Sequence, residues 1–357
     1  MFMSIDFTYK DLQSSRYTFI PLSHISDIVS GIFTRFSKTF VLNPYKCEPI
    51  ISIGYSRCLR EDVKLESDVV MPFLTNSMEI AFSGPDFETV KKGIILFKEK
   101  DIDKDTQTIN APFLNTHPCL TNYIELITSN NTRCCGEGIG SVLNILNYKQ
   151  SKVFTQSKHI LAIKGKECHS FYDESARYAI PKEMYGIHVK GNTLPPKVFT
   201  AIFNSALFCC LRFHNEMSSN KIRYSKFESL RDFPVPAYSP NQALIVALDR
   251  IVDCLIWGKK QIAKNMPTNR LERYLYQMLD MIVFELYLPD YLQEKSLSLS
   301  KDLYESPLVS EGFSASEDVF EVYHWFMSAN NKVRQKIMLL DSRSSELLYP
   351  MFKFLTR

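Results

Sequence analysis

The sequence predicts an α+β fold: a β-rich globule over residues 1–240, then a helical region over residues 241–357. Three observations carry this. Before residue 240 the apolar residues come in short runs separated by polar turns, which is the pattern of short strands. Pro234 and Pro236 then close that region, because proline neither donates to a ladder nor continues a helix. After Asn241 the apolar residues recur every third or fourth position, the pattern of amphipathic helices. A chain of 357 residues, 45% hydrophobic and 23% charged, has enough apolar surface for a sizeable core.

The elements follow in order. Leu22, Ile25 and Ile28 at spacings of three predict a short helix, with Gly31 as its stop. Ile32 to Leu42 reads as a strand pair. Residues 67–100 add strands, including the run Gly93-Ile-Ile-Leu-Phe97, and DIDKDTQ (101–107) is a polar loop. Leu120, Tyr123, Ile124 and Ile127 give residues 118–130 a helical period behind a proline start. Strands return over 151–193 as KVFT, HILAIKG, YAIP and YGIHVKG. Leu194-Pro-Pro-Lys197 opens one helix, VFTAIFNSALFCCLRFH.

Past Asn241, Leu244, Leu248, Ile251, Val252 and Leu255 form one helical stripe. Leu271, Leu275, Met278, Leu279, Ile282, Val283 and Leu286 form a second, with Thr268 as its cap. A Ser-rich linker (296–316) leads to the last helices, from about Glu317 to Leu355.

Net charge is only +3, but it is unevenly placed. From Lys149 to Arg231 there are 14 Lys and Arg against 6 Asp and Glu, a local excess of +8, so the remainder carries −5. A basic middle between more acidic ends predicts a localised polyanion site; a solvated charged face is the plainer alternative. The nine Cys include two adjacent pairs and no C-x-x-C, which excludes zinc-site spacing and predicts free, mostly buried thiols in a reducing cytoplasm. The opening MFMSIDFTYKDLQ holds acidic residues and no long apolar segment, unlike a signal peptide. No run approaches the roughly 18 apolar residues of a membrane span.

The stretch FVLNPY, residues 40–45, is one proline short of Asn-Pro-Pro-Tyr, the catalytic loop of adenine-specific DNA methyltransferases. That chemistry needs an Asn side chain and a neighbouring carbonyl to accept hydrogen bonds from the target amino group. It also needs a rigid Pro-Pro and a Tyr that stacks on the flipped base. A glycine-bearing turn must hold S-adenosylmethionine, yet the 42 residues ahead of Asn43 contain one glycine, Gly31. FVLNPY therefore reads as a strand running into a turn. In Pro85-Asp-Phe-Glu-Thr-Val-Lys91 the carboxylates are too close for a nuclease core, so it reads as a solvated helix start or turn. No H-E-x-x-H, Walker loop or G-x-S-x-G occurs.

Seven stretches, taken in order, resemble the TaqI-like C-terminal specificity domain, the target-recognition half of adenine-specific DNA methyltransferases and fused restriction-modification enzymes. They are FIPLSHISDIVSGIFTRFSKTFVL, DVVMPFLTNSMEI, GIILF with INAPFLNTHPCLTNYIELI, KHILAIKG, LPPKVFTAIFNSALFCCLRF, IRYSKFESLRDFPVP and LERYLYQMLDMIVFELYLP. Together they span about residues 18 to 290. Two departures stand out. Asn204-Ser205-Ala206-Leu207 replaces the Asn-Ser-Lys-Leu of many members, and the catalytic domain that precedes this unit in the family is not in the sequence.

The resemblance implies a stand-alone DNA specificity subunit that binds a short double-stranded site. It would need no cofactor of its own, since S-adenosylmethionine would sit on a separate adenine-N6 methyltransferase subunit, itself able to carry a nuclease. Helices after Asn241 would dock that partner or a second copy, or their apolar stripes would close on themselves. The alternatives are a protein-interaction module that does not read DNA, or a fragment of a split methyltransferase.

The DNA contacts expected from the basic middle are Lys152, Lys158, Lys164 and Lys166 around KHILAIKG, and Lys221, Arg223, Tyr224, Lys226 and Arg231 in KIRYSKFESLR. Arg223 and Arg231 are the better base readers, because a guanidinium can be bidentate to guanine. Each carries the plainer reading of a surface charge, and Tyr224 that of a core aromatic. Asn204 and Ser205 are expected to cap or pack.

Overall fold

The computed structural model of the chain describes residues 12, 18–32, 37–75, 80–97, 99–103, 109–129, 153–191, 194–218, 226–237, 241–262 and 269–355. The predicted α+β class holds. The architecture is two antiparallel sheets and a helical layer, stacked in that order.

The first sheet contains β3 (Val41–Lys46), β4 (Ile51–Ser56), β5 (Glu61–Glu66), β6 (Val70–Pro72) and β7 (Gly93–Ile95), in the order β5-β4-β3-β7-β6. Period-two burial is clear in β4, where Ser52, Gly54 and Ser56 turn inward and Ile51, Ile53 and Tyr55 stay half-exposed. The expected strand pair over Ile32–Leu42 is not formed as such: Ser37–Phe40 is a short helix, α2, and FVLNPY runs from its last residue into β3. The ladder to β4 slips register between Leu42 and Tyr45, around Pro44, which has no N–H to donate. Tyr45 is buried against Gly93, where an added Cβ would meet the ring at 2.6 Å. The near-motif is thus a strand, as its sequence context predicts. It runs on to Lys46 before turning.

Two helices, α3 (Ala111–Thr116) and α4 (Pro118–Ser129), follow β7 in the chain, and α4 covers the β5 side of this sheet. The Glu66 carboxylate accepts from the N–H groups of Cys119 at 2.7 Å and Leu120 at 3.0 Å, which caps α4. The His117 ring lies 3.1 Å from the Asp68 carboxylate through Nε2 and 2.8 Å from the Phe113 carbonyl through Nδ1.

The second sheet contains β2 (Ser26–Ser30), β8 (Lys158–Lys164), β9 (Glu167–Asp173) and β10 (Met184–Val189), in the order β2-β10-β8-β9. It is the middle layer. Ile160, Ala162, Phe171 and Met184 pack toward the first sheet, while Leu161, Ile163, Cys168 and Ile187 pack toward the helices. Burial on both faces explains why β8 reads as a continuous apolar run rather than an alternating one.

The N-terminal helix departs from its prediction. Only α1 (Leu22–Ile25) is helical, and Ile28 belongs to β2. The spacing of three is overridden because Ile28 and Val29, both β-branched, pair with Ile187 and Gly186. Gly31 ends a strand rather than a helix, and an added Cβ there would lie 2.0 Å from the Pro181 carbonyl oxygen. KVFT is likewise not a strand: Val153 and Phe154 are helical and buried.

The helical layer starts with α5 (Pro196–Asn204) and α6 (Ala206–Ser218), where the sequence predicts one helix. Ser205 is extended and breaks it. Its hydroxyl donates to the Ile202 carbonyl and accepts from the Phe208 N–H, and Asp280 accepts from the Ala206 N–H at 2.7 Å. Asn204 spans two elements, accepting from Ser170 N–H at 3.0 Å and donating to the carbonyls of Ser170 and Thr200. Both residues cap and pack, as expected.

The long helices α8 (Gln242–Ile262) and α9 (Asn269–Tyr287) bury every residue of their two predicted stripes. Thr268 lies outside the described residues. The Ser-rich stretch 296–316 is not a free linker. Leu297, Leu299, Leu303 and Leu308 are fully buried, and the buried Glu285 carboxylate accepts from Ser298 Oγ, Leu299 N–H and Ser300 N–H. Short helices over Ala315–Met327, Lys332–Met338, Leu340–Arg343 and Leu348–Phe352 complete the layer. One apolar cluster joins α8 and α9 to β8, β10, α5 and α6, so the core of this layer crosses residue 240. A small pair, β1 (Phe19–Pro21) with β11 (Pro234–Pro236), ties the start of the globule to its end.

Candidate nucleic-acid interface

The basic middle sends its cations to unlike places. Lys158, on β8, departs from the expectation of a DNA contact: it is fully buried. Its ammonium donates to Asp173 at 2.8 Å and to the Phe154 carbonyl at 3.1 Å. Burial lowers its pKa, and Asp173 opposes that shift. The same carboxylate accepts from the N–H groups of Arg177 and Tyr178, so the pair is an internal strut with no surface for a phosphate.

Lys164 and Lys166 flank the β8–β9 turn. Lys164 is exposed, and the Lys166 ammonium lies 5.3 Å above the ring of Phe354. Lys152, Lys221, Arg223 and Tyr224 lie outside the described residues. Lys226 opens the helix α7 (Lys226–Arg231), and Arg231 ends it, exposed to solvent.

Arg231 lines a groove of about 450 Å³ with Ser23, Ile28, Val29, Val153 and Phe227. Its guanidinium sits 6.0 Å from the centre of the Phe227 ring. That ring stacks in turn on Tyr185 at 6.2 Å. Among the described residues no carboxylate or carbonyl holds the guanidinium, so its donor edge is open. Asp27 also lines the groove, and its charge is met by Lys190 at 2.6 Å. Two lining residues, Val153 and Phe227, come from opposite ends of the basic segment. Two parts of the basic segment that are distant in sequence thus meet at one place.

The groove follows an open sheet edge. The Lys190 N–H donates to the Ile25 carbonyl at 2.7 Å and the Gly31 N–H to Met184 at 2.8 Å. Alternate residues pair in an antiparallel ladder, so Asp27 and Val29 also face β10, and Ile28 and Ser30 turn their N–H and C=O groups away. β2 is the outer strand, and no described strand pairs with that side. Lys164 lies at the opposite end of the sheet, because Ile187, next to the Asp27 partner His188, pairs with His159 near the start of β8. One strand length, roughly 20 Å by the rise per residue, separates the two cationic points.

Phe227, Ser23 and the β2 edge were not singled out in the sequence. Lys190 was counted only as part of the basic segment. Nothing in the residue string says which strand is outermost, and Phe227 reads as any core aromatic.

The described residues hold no group of three or more His, Cys, Asp or Glu placed to bind a metal ion. His159 is buried among Tyr172, Phe199 and Phe203, and burial lowers its pKa to about 3. It is therefore a neutral core residue at ordinary pH. Burial pushes the Cys210 and Cys254 thiols up to about 12, which leaves them protonated and unreactive. Among the described residues six cysteines are free, as predicted; Cys58 departs, being disulfide-bonded. No described helix is long and apolar enough to cross a membrane. Beside the near-motif a cleft of about 700 Å³ is lined by Pro44, Tyr45, Ile53, Asp62, Glu88 and Lys91. Asp86 and Glu88 belong to a turn, with Phe87–Thr89 a single 3₁₀ turn.

No family model matches the chain, and no curated protein matches its sequence. Among solved structures the chain is similar to the Type IIL restriction-modification enzyme MmeI in complex with DNA, at 10% identity and a TM-score of 0.45. The likeness covers 87% of this chain and 37% of the MmeI chain.

Proposed function

We propose that the chain is a DNA sequence-specificity subunit of a restriction-modification system. It binds a short double-stranded site and positions a separate adenine-N6 methyltransferase, which holds the S-adenosylmethionine and can carry a nuclease. The observation that carries this reading is the groove at the β2 edge, where the Arg231 guanidinium has no carboxylate or carbonyl partner among the described residues and two distant parts of the basic segment meet. The ordered resemblance over about residues 18 to 290 supports it.

In this reading Arg231, Lys164 and Lys166 are surface DNA contacts, and Lys152, Lys221, Arg223, Tyr224 and Lys226 remain proposed contacts. Lys158, buried against Asp173, is not a contact. Residues 1–240 act as the recognition part and 241–357 as the part that docks the catalytic subunit. We place the whole in the cytoplasm.

The test is binding of the purified chain to random-sequence duplex DNA at two salt concentrations, with sequencing of the bound pool. The expected result is an enriched short motif and an affinity that falls with salt, with a slope of about −0.9 per phosphate contacted. No binding at low salt overturns the reading. The open β2 edge favours one second reading, a module that adds a strand from a protein partner. That reading predicts no salt-dependent DNA binding.

A further inference from the structure

We infer that Arg231 is a specificity-determining residue that reads a guanine, and that Phe227 is the positioning residue that aims it. This rests on the DNA-reading proposal and deepens it. A free arginine side chain has many rotamers, and fixing them opposes binding. Here the guanidinium lies over the Phe227 ring at 6.0 Å. Phe227 is itself half-buried and stacked on Tyr185, a residue of the middle sheet. The charge is therefore set in place by a chain of ring contacts that ends in the core, before any ligand arrives.

Near that ring, and with no carboxylate or carbonyl partner among the described residues, the guanidinium can offer its planar N–H fork to the O6 and N7 acceptors of guanine in the major groove. An ammonium on the same ring would have neither the plane nor the fork.

The surroundings suit a nucleic acid. The N–H group of Ile28, a lining residue, turns away from β10 and can donate to a phosphate oxygen. The Ser23 side chain lines it as a further polar group. The one carboxylate among the described lining residues, Asp27, is ion-paired with Lys190 at 2.6 Å, so it does not repel a polyanion with its full charge.

The experiment compares the wild-type chain with Arg231→Lys, Phe227→Leu and Phe227→Tyr. Each is selected on random duplex DNA and then measured on the enriched site and on its single-base variants at two salt concentrations. The wild type is expected to enrich a motif containing a G·C pair. Arg231→Lys keeps the charge, so it should keep the salt slope and lose roughly tenfold or more in discrimination at that one pair. Phe227→Leu should lose part of the same discrimination at unchanged slope, and Phe227→Tyr should restore it. A residue that merely supported the fold would lower affinity at every position together and would not be rescued by tyrosine.

Unchanged discrimination in Arg231→Lys overturns the inference and leaves the DNA reading standing. So does salt-dependent binding of the wild type with no enriched motif. Absence of any DNA binding removes both. Protection of the Ile28 and Ser30 amides from hydrogen exchange by a protein partner, and not by DNA, would assign the edge to an added strand and also overturn the inference. Should Phe227→Leu fail to fold, the Arg231→Lys result decides.

Discussion

Lys158 and Arg231 belong to the same basic segment and lie against the same four-stranded sheet, one inside it and one at its rim. Inside, Lys158 meets Asp173 at 2.8 Å with both side chains almost wholly buried. At the rim, the Arg231 guanidinium lies 6.0 Å from the centre of the Phe227 ring and the residue is exposed to solvent. In sequence the two are alike: a cation near apolar and aromatic residues. The difference teaches that a charge count locates a polyanion site only to the level of a segment. The packing decides which of its charges are structural and which are available.

The comparison breaks most sharply at Asp173. Asp173→Asn leaves the buried Lys158 ammonium without its counter-charge and should cost about 3–5 kcal/mol in urea unfolding. A loss under about 1 kcal/mol would show that the lysine reaches water, and Lys158 would rejoin the surface set. Next is Asn204, whose amide joins α5 to β9 through Ser170. Asn204→Ala strands a buried N–H of Ser170, whose carbonyl keeps the Phe82 N–H, and should cost about 1–3 kcal/mol, with DNA affinity unchanged once folding is restored by cooling.

The rim predicts the reverse pattern. Arg231→Ala and Lys164→Ala should each leave stability within about 0.5 kcal/mol. Lys164→Ala should lower DNA affinity evenly across sequences and reduce the salt slope by about 1. A Lys164→Ala chain that melts early would make the lysine a fold residue like Lys158.

The smallest effect concerns pH. At His117 burial works against the charge, but the Phe113 carbonyl and the Asp68 carboxylate outweigh it and raise the pKa above its ordinary value. A histidine raised in the folded state contributes stability that is fully present below pH 6.5, its unfolded value, and is lost as pH rises through the folded pKa. Thermal unfolding should therefore show a small stability gain at pH 6 over pH 8, which Asp68→Asn reduces, by less than about 1 kcal/mol for so exposed a partner.

Much of the fold was legible in the sequence. The stripes of α8 and α9 and the proline start of α4 depend on side chains close along the chain, and a helix is a local structure. FVLNPY was legible as a strand because its apolar start and its missing proline both argue against a rigid catalytic loop. The misreadings share one cause. Ile28 fits a helical period of three, yet its place in β2 is set by pairing with Ile187, far along the chain. The helix over 196–218 breaks at Ser205 because Asp280, 74 residues on, caps the second half. The Ser-rich stretch after α9 is polar in composition, yet Glu285 gathers its serine hydroxyls and backbone and its leucines are buried.

By itself, then, the sequence determined the α+β class, the long helices, the basic segment and the types of side chain available for holding DNA. These depend on composition and on periods of two and three to four residues, which are properties of neighbours in the chain. Only the tertiary structure decided that β2 is an outer strand, that Phe227 lies under Arg231, and that Lys158 is sealed against Asp173. Each of these joins residues that are close only after folding, and burial and hydrogen bonding act between such residues without regard to their separation in sequence.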